Sequence, residues 1–322
     1  MSIIRFIRNW TLPIAMLTGI IGYFVYVNIH ALDGTHTAVA HAIEIIQPTL
    51  IFLMLFVSFC KISPRQLRPH KWHLKLLAVQ VISFSAIGLF LAFTPDFKWK
   101  ILAESAMICL ICPTATAAAV VTGKLGGNAN SVVSYTCLIN LAAAVVIPAI
   151  VPMMHESADP NLDFGKSFTL IIGKVFPILI LPLFSAWVFR YLLPKLHKKI
   201  VSCSGLAFYL WAVALTLAIA VTMKAMMHHT ESVADIIGIG IISLICCVGQ
   251  FALGRYFGRH NNEMISSAQG LGQKNTVFAI WMGYTFLNPL TAMAGGFYSV
   301  WHNVINSYQL YEARKRDEVK KQ

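Results

Sequence analysis

The hydrophobic residues of this chain fall into ten blocks of about twenty residues, separated by short polar segments. A helix of about twenty apolar residues crosses the roughly 30 Å hydrocarbon core of a bilayer. A buried helix of a water-soluble protein is shorter and carries a polar stripe. The pattern therefore predicts an all-α membrane protein with ten transmembrane helices, at residues 10–29, 42–60, 74–94, 99–122, 130–152, 168–189, 206–227, 234–257, 264–287 and 289–310.

The composition agrees with a membrane protein. The 322 residues are 57% hydrophobic and 12% charged, about half of the roughly 25% charged residues of soluble domains. The first block follows Arg5 and Arg8 and has no small-residue cleavage site, so it is expected to remain as a helix. With no linker or soluble domain, residues 1–322 are predicted to form one membrane unit, with repeats at about 1–155 and 165–311 and a basic tail at 312–322.

The distribution of charge predicts the orientation of the spans. The net charge is +12, and most Lys and Arg residues fall on one side if the N-terminus is cytoplasmic, whereas the loop at 155–163 on the other side is acidic. Cytoplasmic loops of membrane proteins carry this excess of Lys and Arg. We therefore expect an even number of spans in the cell (inner) membrane, both termini in the cytoplasm, the lipid bilayer as surroundings and no nucleic acid as partner.

Two of the predicted spans are interrupted, and about half of the chain separates the interruptions. The fourth span contains Pro113, and the ninth contains Gly270 and Gly272. Five spans per half is an odd number, so the second half would enter the membrane inverted. Broken helices at matching positions of inverted halves mark the binding sites of transporters, where the positive ends of half-helices face an anion. The alternative is that Pro and Gly only kink packed helices.

Five features of the sequence belong together: the proline motif at 112–117, the segment Gly272-Gln273-Lys274-Asn275, the tenth-span segment at 297–303, the segment at 62–64 and Gln80. They resemble motifs of the bile acid:sodium symporter superfamily. The resemblance implies a panel of helices 1, 2, 6 and 7 and a core of helices 3–5 and 8–10. In the core, helices 4 and 9 are unwound where they cross. It also implies that an organic anion binds between panel and core.

The sodium sites that the resemblance implies are degraded in this sequence. The family's Ser-Asn pair falls on Ala118 and Ala119, and of a serine and a threonine on helix five only Thr136 remains, with Val132 at the other position. The family's glutamate falls on Gly270 and its glutamine on Lys274. A register shifted by one residue would place them at Gln269 and Gln273 instead. In either register no carboxylate remains, so the chain is interpreted as a divergent bacterial-type member.

Lys274 is the residue on which we base a hypothesis. A lysine at bilayer depth costs about 2.5–3.5 kcal/mol on insertion scales, and its ammonium could replace sodium by binding the freed carbonyls. It could also exchange protons, or it could be a purely structural cation that locks the crossing. The candidate substrate- or ion-binding residues are Gln80, Thr114, Thr116, Thr136, Asn140, Gln269, Gln273, Lys274, Asn275 and Thr276. The hydroxyl groups among them could instead cap backbone groups.

The function predicted from the sequence is a secondary transporter of a small organic anion that works by alternating access without sodium. A sodium- or proton-coupled symporter and a non-transporting sensor or scaffold remain alternatives. An enzyme is disfavoured because the spans contain no nucleophile–base pair. Cys109 and Cys112 lack a second ligand pair in their helix, so no zinc or other cofactor is expected.

Overall fold

A computed structural model describes residues 11–64, 67–154, 164–203, 205–228 and 232–319. Arg5, Arg8 and the acidic loop at 155–163, which entered the prediction of orientation, lie outside these ranges. Within them the regular elements are helices. In the first half these are α1 Thr11–Asn28, α2 His36–Cys60, α3 Lys71–Phe93, α4 Lys100–Ile111, α5 Ala118–Lys124 and α6 Ala129–Ile150.

The second half begins with α7 Phe164–Leu179, α8 Leu181–Leu192 and α9 Pro194–Ser202. It continues with α10 Leu206–His228, α11 Val233–Gly258, α12 Met264–Gly272, α13 Thr276–Phe286 and α14 Ala292–Val319. Short 3₁₀ segments join several of them, including one at Pro289–Thr291 between α13 and α14. The last helix α14 continues past the predicted end of its span at residue 310 into the basic segment.

Six helical stretches in the described ranges are long and apolar enough to cross a membrane. They are α2, α3, α6 with its 3₁₀ extension, α7 together with α8, α10 and α11. Each of them coincides with a predicted block. The fourth and ninth blocks do not meet the length criterion because each is divided into two short helices, α4 with α5 and α12 with α13.

The helices pack in two groups. In the first group α10 lies against α1 and α2, and α2 lies against α8. In the second group α11 contacts α4, α12 and α14, and α3 contacts α4 and α6. A Cβ atom at Gly254 of α11 would lie 2.6 Å from the carbonyl oxygen of Ser267 in α12, so glycine is what lets these two helices approach. Helix α13 belongs to the second group and contacts α2 and α10 of the first.

Candidate functional site

The two interruptions lie side by side and pair with each other. Helix α4 ends at Ile111 because Pro113 has no N–H and restricts the residue before it, and Cys112 is extended. Between α12 and α13 the chain is extended as well, and Thr114 and Lys274 form an antiparallel bridge. On either side of this pair the backbone N–H of Ala115 donates to Gln273 O at 2.8 Å, and that of Asn275 donates to Pro113 O at 2.8 Å.

The side chains of the two bridge residues cap each other's spans. Thr114 Oγ1 donates to Gly270 O at 2.6 Å, and Lys274 Nζ donates to Leu110 O at 3.3 Å. Gly270 stands four residues before Lys274, and Leu110 stands four residues before Thr114, so the two contacts are equivalent. A helix that ends leaves its last carbonyls without intrahelical partners. Here each of the two spans receives a donor for such a carbonyl from the opposite interruption.

Lys274 is buried, with 1% of its side chain exposed. The ion pairs found in the described ranges, His41 with Glu44 and His70 with Glu263, do not include it. The ionisable groups close to it are thiols: Cys109 of α4, Cys112 just after α4, and Cys246 and Cys247 of α11. The second cysteine pair, which the spacing in sequence did not indicate, is therefore nearby in space. No cluster of His, Cys, Asp and Glu in the described ranges could hold a metal ion.

A glutamine and a tyrosine close the α4 side of the crossing. Gln80 Nε2 donates to Leu110 O at 2.7 Å and to Cys112 O at 3.3 Å. The hydroxyl of Tyr135 donates to Gln80 Oε1. Gln80 and Tyr135 are fully buried, so both polar ends of the Gln80 amide are engaged inside the protein.

A second glutamine–tyrosine pair lies on the other side of the crossing. Gln250 Nε2 donates to Cys109 O at 3.0 Å and to the hydroxyl of Tyr298 at 3.1 Å. Tyr298 in turn donates to Gly272 O at 2.8 Å. The two pairs supply hydrogen-bond donors to the carbonyls where both broken spans end, which a low-dielectric interior requires.

The far ends of the broken spans are also linked to each other. Asn128, before α6, donates through Nδ2 to Glu263 Oε1 at 3.1 Å. At the other end, the backbone N–H of Asn288 donates to Glu104 Oε2 at 3.2 Å. In both cases a glutamate at the start of one broken span binds an asparagine that follows the other broken span.

Residues 48–230 match the model of the Sodium Bile acid symporter family. The match covers more than half of the chain. The chain belongs to this family. A search of curated proteins finds no match to it. Members of the sodium bile acid symporter family are membrane transporters, so this chain is an integral multi-pass membrane protein with a transport role and not an enzyme. The matched range includes the first interruption and Gln80 and ends before the second interruption.

The two positions at which the family's glutamate could fall have different surroundings in this member of the family. A Cβ atom at Gly270 would lie 3.1 Å from the ring of Tyr135 and 3.4 Å from that of Trp72, so aromatic rings fill the space beside it. Gln269 points away from the crossing, since its Nε2 donates to Asn306 Oδ1 at 2.9 Å and to Gln309 Oε1 at 3.0 Å on α14.

The remaining candidates divide into residues that cap backbone and residues with free polar atoms. Thr136 Oγ1 donates to Val132 O at 2.9 Å, and Asn140 Nδ2 donates to Thr136 O at 2.7 Å, both within α6. Asn275 Oδ1 accepts from Phe278 N at 3.3 Å and so caps α13. The buried atoms Asn140 Oδ1, Gln273 Oε1 and Asn275 Nδ2 have no partner among the described residues. Thr276 is buried at the start of α13, and Thr116 is half-buried.

Sequence reasoning missed several residues of this region. Tyr135, Tyr298 and Gln250 contribute to the crossing as described above. Gln47 of α2 is buried, and its Nε2 has no partner in the described part of the chain. A single amide in an otherwise apolar span was a signal for both glutamines. Tyr135 gave no such signal, because it lies in a block that is apolar on average. Tyr298 lies in the segment at 297–303 that resembles the family but was not chosen as a candidate.

Proposed function

We propose that this protein is a secondary carrier that moves a small organic anion across the cell (inner) membrane by alternating access and without sodium. The ammonium of Lys274 takes the position that a sodium ion would occupy at the crossing. The observation that carries the proposal is the contact of the buried Lys274 Nζ with Leu110 O at 3.3 Å, at a crossing where no glutamate is present.

Two inverted halves of five spans account for the contacts between the interruptions. The members of three couples, Thr114 with Lys274, Glu104 with Glu263 and Asn128 with Asn288, are separated by a nearly constant distance in sequence. The members of each couple contact corresponding parts of the opposite broken span. This correspondence supports two inverted halves, and the excess of Lys and Arg on one side supports ten spans with both termini in the cytoplasm. The two packing groups then act as the panel and the core that rock against each other.

Three backbone carbonyls at the crossing are engaged by hydrogen-bond donors, which argues against sodium. Leu110 O accepts from Gln80 and Lys274, and Gly270 O accepts from Thr114. Gly272 O accepts from Tyr298. Sodium prefers hard oxygen ligands, and without an anionic one little offsets the cost of its dehydration. An ammonium group donates to such a carbonyl directly, which offsets part of the cost of its burial.

An anionic substrate fits the charges and the free donors of the same region. Helices α5 and α13 begin at the crossing, and the N-terminus of a helix attracts an anion. Asn275 Nδ2 is a buried donor without a partner among the described residues. Gln47 Nε2 of α2 is another such donor, in the opposite packing group. The substrate would bind between the two groups, near Thr116, Asn140, Gln273, Asn275 and Thr276.

The test is uptake into liposomes that contain the purified protein. A panel of small organic anions is offered, with sodium and proton gradients imposed separately. We expect uptake without sodium, and loss of uptake in Lys274→Gln. The matched control is Lys174→Gln, because Lys174 is exposed on α7 and should leave uptake unchanged. Sodium-dependent uptake that a sodium ionophore abolishes would overturn the replacement of sodium by Lys274.

A second candidate function is a sodium- or proton-coupled symporter, which the family match favours. The same experiment separates the candidates, because a proton gradient alone would drive uptake through a proton-coupled carrier. Binding of an anion without flux under any gradient would instead support a sensor that has the fold but does not transport.

A further inference from the structure

The short helix α9 lies against the end of α2 and contacts it through the side chain of His197. Its residue His197 is buried, and His197 Nε2 lies 2.8 Å from the carbonyl oxygen of Cys60. Arg190 in α8 donates to the same carbonyl at 3.5 Å. Ile200 and Val201 of α9 pack against the hydrophobic core. One face of α9 is thus held against the protein.

The opposite face of α9 carries lysines. Successive residues of a helix are about 100° apart, so Lys195, Lys198 and Lys199 point within one arc of about 100°. All three are exposed. Residues three and four apart on a helix have Cβ atoms about 5–6 Å apart, so the three ammonium groups can reach one anionic group.

These lysines have no acidic neighbours in the elements around them. No aspartate or glutamate occurs between residues 164 and 230, which includes α8 and α9. In α2, Glu44 precedes Cys60 by about 24 Å along the helix axis. The positive charge of this face is therefore not neutralised by the helices against which α9 packs.

Exposed apolar side chains flank the lysines. Leu192 and Leu193 precede α9 and are 73% and 46% exposed, and Leu196 within it is 44% exposed. A water-soluble anion would bind the lysines but would leave these leucines in water. A helix with cationic and apolar faces side by side is typical of the boundary between lipid headgroups and acyl chains.

We propose that α9 and the residues before it form a binding site for an anionic phospholipid. The headgroup phosphate binds Lys195, Lys198 and Lys199, and the acyl chains cover Leu192, Leu193 and Leu196. The site requires only that the chain lies in a bilayer, so it stands or falls independently of the proposed substrate and of Lys274.

The test compares the binding of phosphatidylglycerol and phosphatidylcholine with the same acyl chains to the purified full-length protein, measured by native mass spectrometry. Each lysine near a membrane surface contributes about fivefold to binding of an anionic lipid. We therefore expect K195Q/K198Q/K199Q to lose about 100-fold in phosphatidylglycerol affinity, with phosphatidylcholine binding unchanged. The matched control is R314Q/K315Q/R316Q, which removes three exposed cations from the end of α14 and should retain the preference.

Two further arms identify the ligand. L193Q/L196Q keeps every lysine and should weaken phosphatidylglycerol binding while leaving the circular dichroism spectrum unchanged. Glycerol phosphate, which has the headgroup charge without acyl chains, should not compete at millimolar concentration. Equal losses in both cation triples, or full competition by glycerol phosphate, would overturn the lipid site.

Discussion

The first and second interruptions share one backbone arrangement, but the side chains that cap their free carbonyls differ in chemistry. Thr114 caps Gly270 O with a short neutral hydroxyl, whereas Lys274 caps Leu110 O with a long cation. Leu110 O has a second side-chain donor, Gln80 Nε2. For Gly270 O, Thr114 is the one side-chain donor found within the described ranges. The hydroxyl is thus needed to satisfy its carbonyl, and the ammonium is not.

Magnitudes lead to the same distinction. A lysine at bilayer depth costs about 2.5–3.5 kcal/mol, and a well-formed hydrogen bond of a charged group contributes about 1.5–3 kcal/mol net. Leu110 O already has a donor in Gln80, and its contact with Lys274 Nζ, at 3.3 Å, is long for a charged donor, so this contact contributes less. The capping contact therefore does not fully offset the burial of Lys274. We infer that Thr114 stabilises the crossing, whereas the charge of Lys274 serves transport.

The largest loss of stability is expected from a substitution at Gly270, where aromatic rings occupy the space that a carboxylate would need. Gly270→Glu forces a charged side chain against the rings of Tyr135 and Trp72, which lie 3.1 Å and 3.4 Å from the added Cβ atom. Overpacking and an unpaired charge together should lower the free energy of unfolding by about 3 kcal/mol or more. Thermal unfolding in detergent measures it. Gly270→Ala is the control and should cost about 1 kcal/mol. If the Gly270→Glu protein is stable and its uptake becomes dependent on sodium, the rings of Tyr135 and Trp72 do not occupy the space for a carboxylate, and this prediction is wrong.

Thr114→Val tests whether the neutral hydroxyl of Thr114 stabilises the crossing. Valine keeps the shape of threonine but leaves Gly270 O, which accepts from Thr114 Oγ1 at 2.6 Å, without that donor. We expect a loss of about 1–3 kcal/mol of stability, seen as a lower unfolding temperature. Thr114→Ser keeps the donor and should recover most of the loss. If valine and serine destabilise equally, the hydroxyl does not close the second span.

Lys274→Met should keep the stability that Thr114→Val loses, but it should lower the rate of transport. Leu110 O keeps its bond from Gln80, and the cost of a buried cation disappears, so stability should stay within about 1 kcal/mol of the original protein or rise. Anion uptake should fall by roughly 10-fold or more, as expected for the loss of a charge-assisted contact. A loss of stability as large as that of Thr114→Val would instead make Lys274 a structural lock.

The sequence was sufficient to predict where the two helices are interrupted, but not which side chains cap the carbonyls at the interruptions. Pro113 and the glycines of the ninth block predicted where helices end, because these residues act locally on the backbone. The reciprocal caps depend on residues more than 150 positions apart, and no local pattern specifies such contacts. Gln269 was predicted near an ion site, but its amide binds Asn306 and Gln309 of α14, because Gln269 lies about 100° around α12 from its neighbour Gly270.

The smallest effect should come from the two asparagines at the far ends of the broken spans. Asn128 accepts from the N–H groups of Asn130 and Ser131 and so caps α6, a helix of 22 residues. Asn288 accepts from Leu290 N and caps a 3₁₀ segment of three residues. Asn128 also binds Glu263 through its side chain, whereas Asn288 binds Glu104 through its backbone, which alanine retains.

Asn128→Ala should therefore cost about 1–2 kcal/mol and Asn288→Ala about 0.5 kcal/mol. Unfolding temperatures of the two variants measure the difference. Equal costs for the two asparagines would mean that the ends of the broken spans are equivalent in energy as well as in geometry. The difference between the halves would then be confined to Thr114 and Lys274.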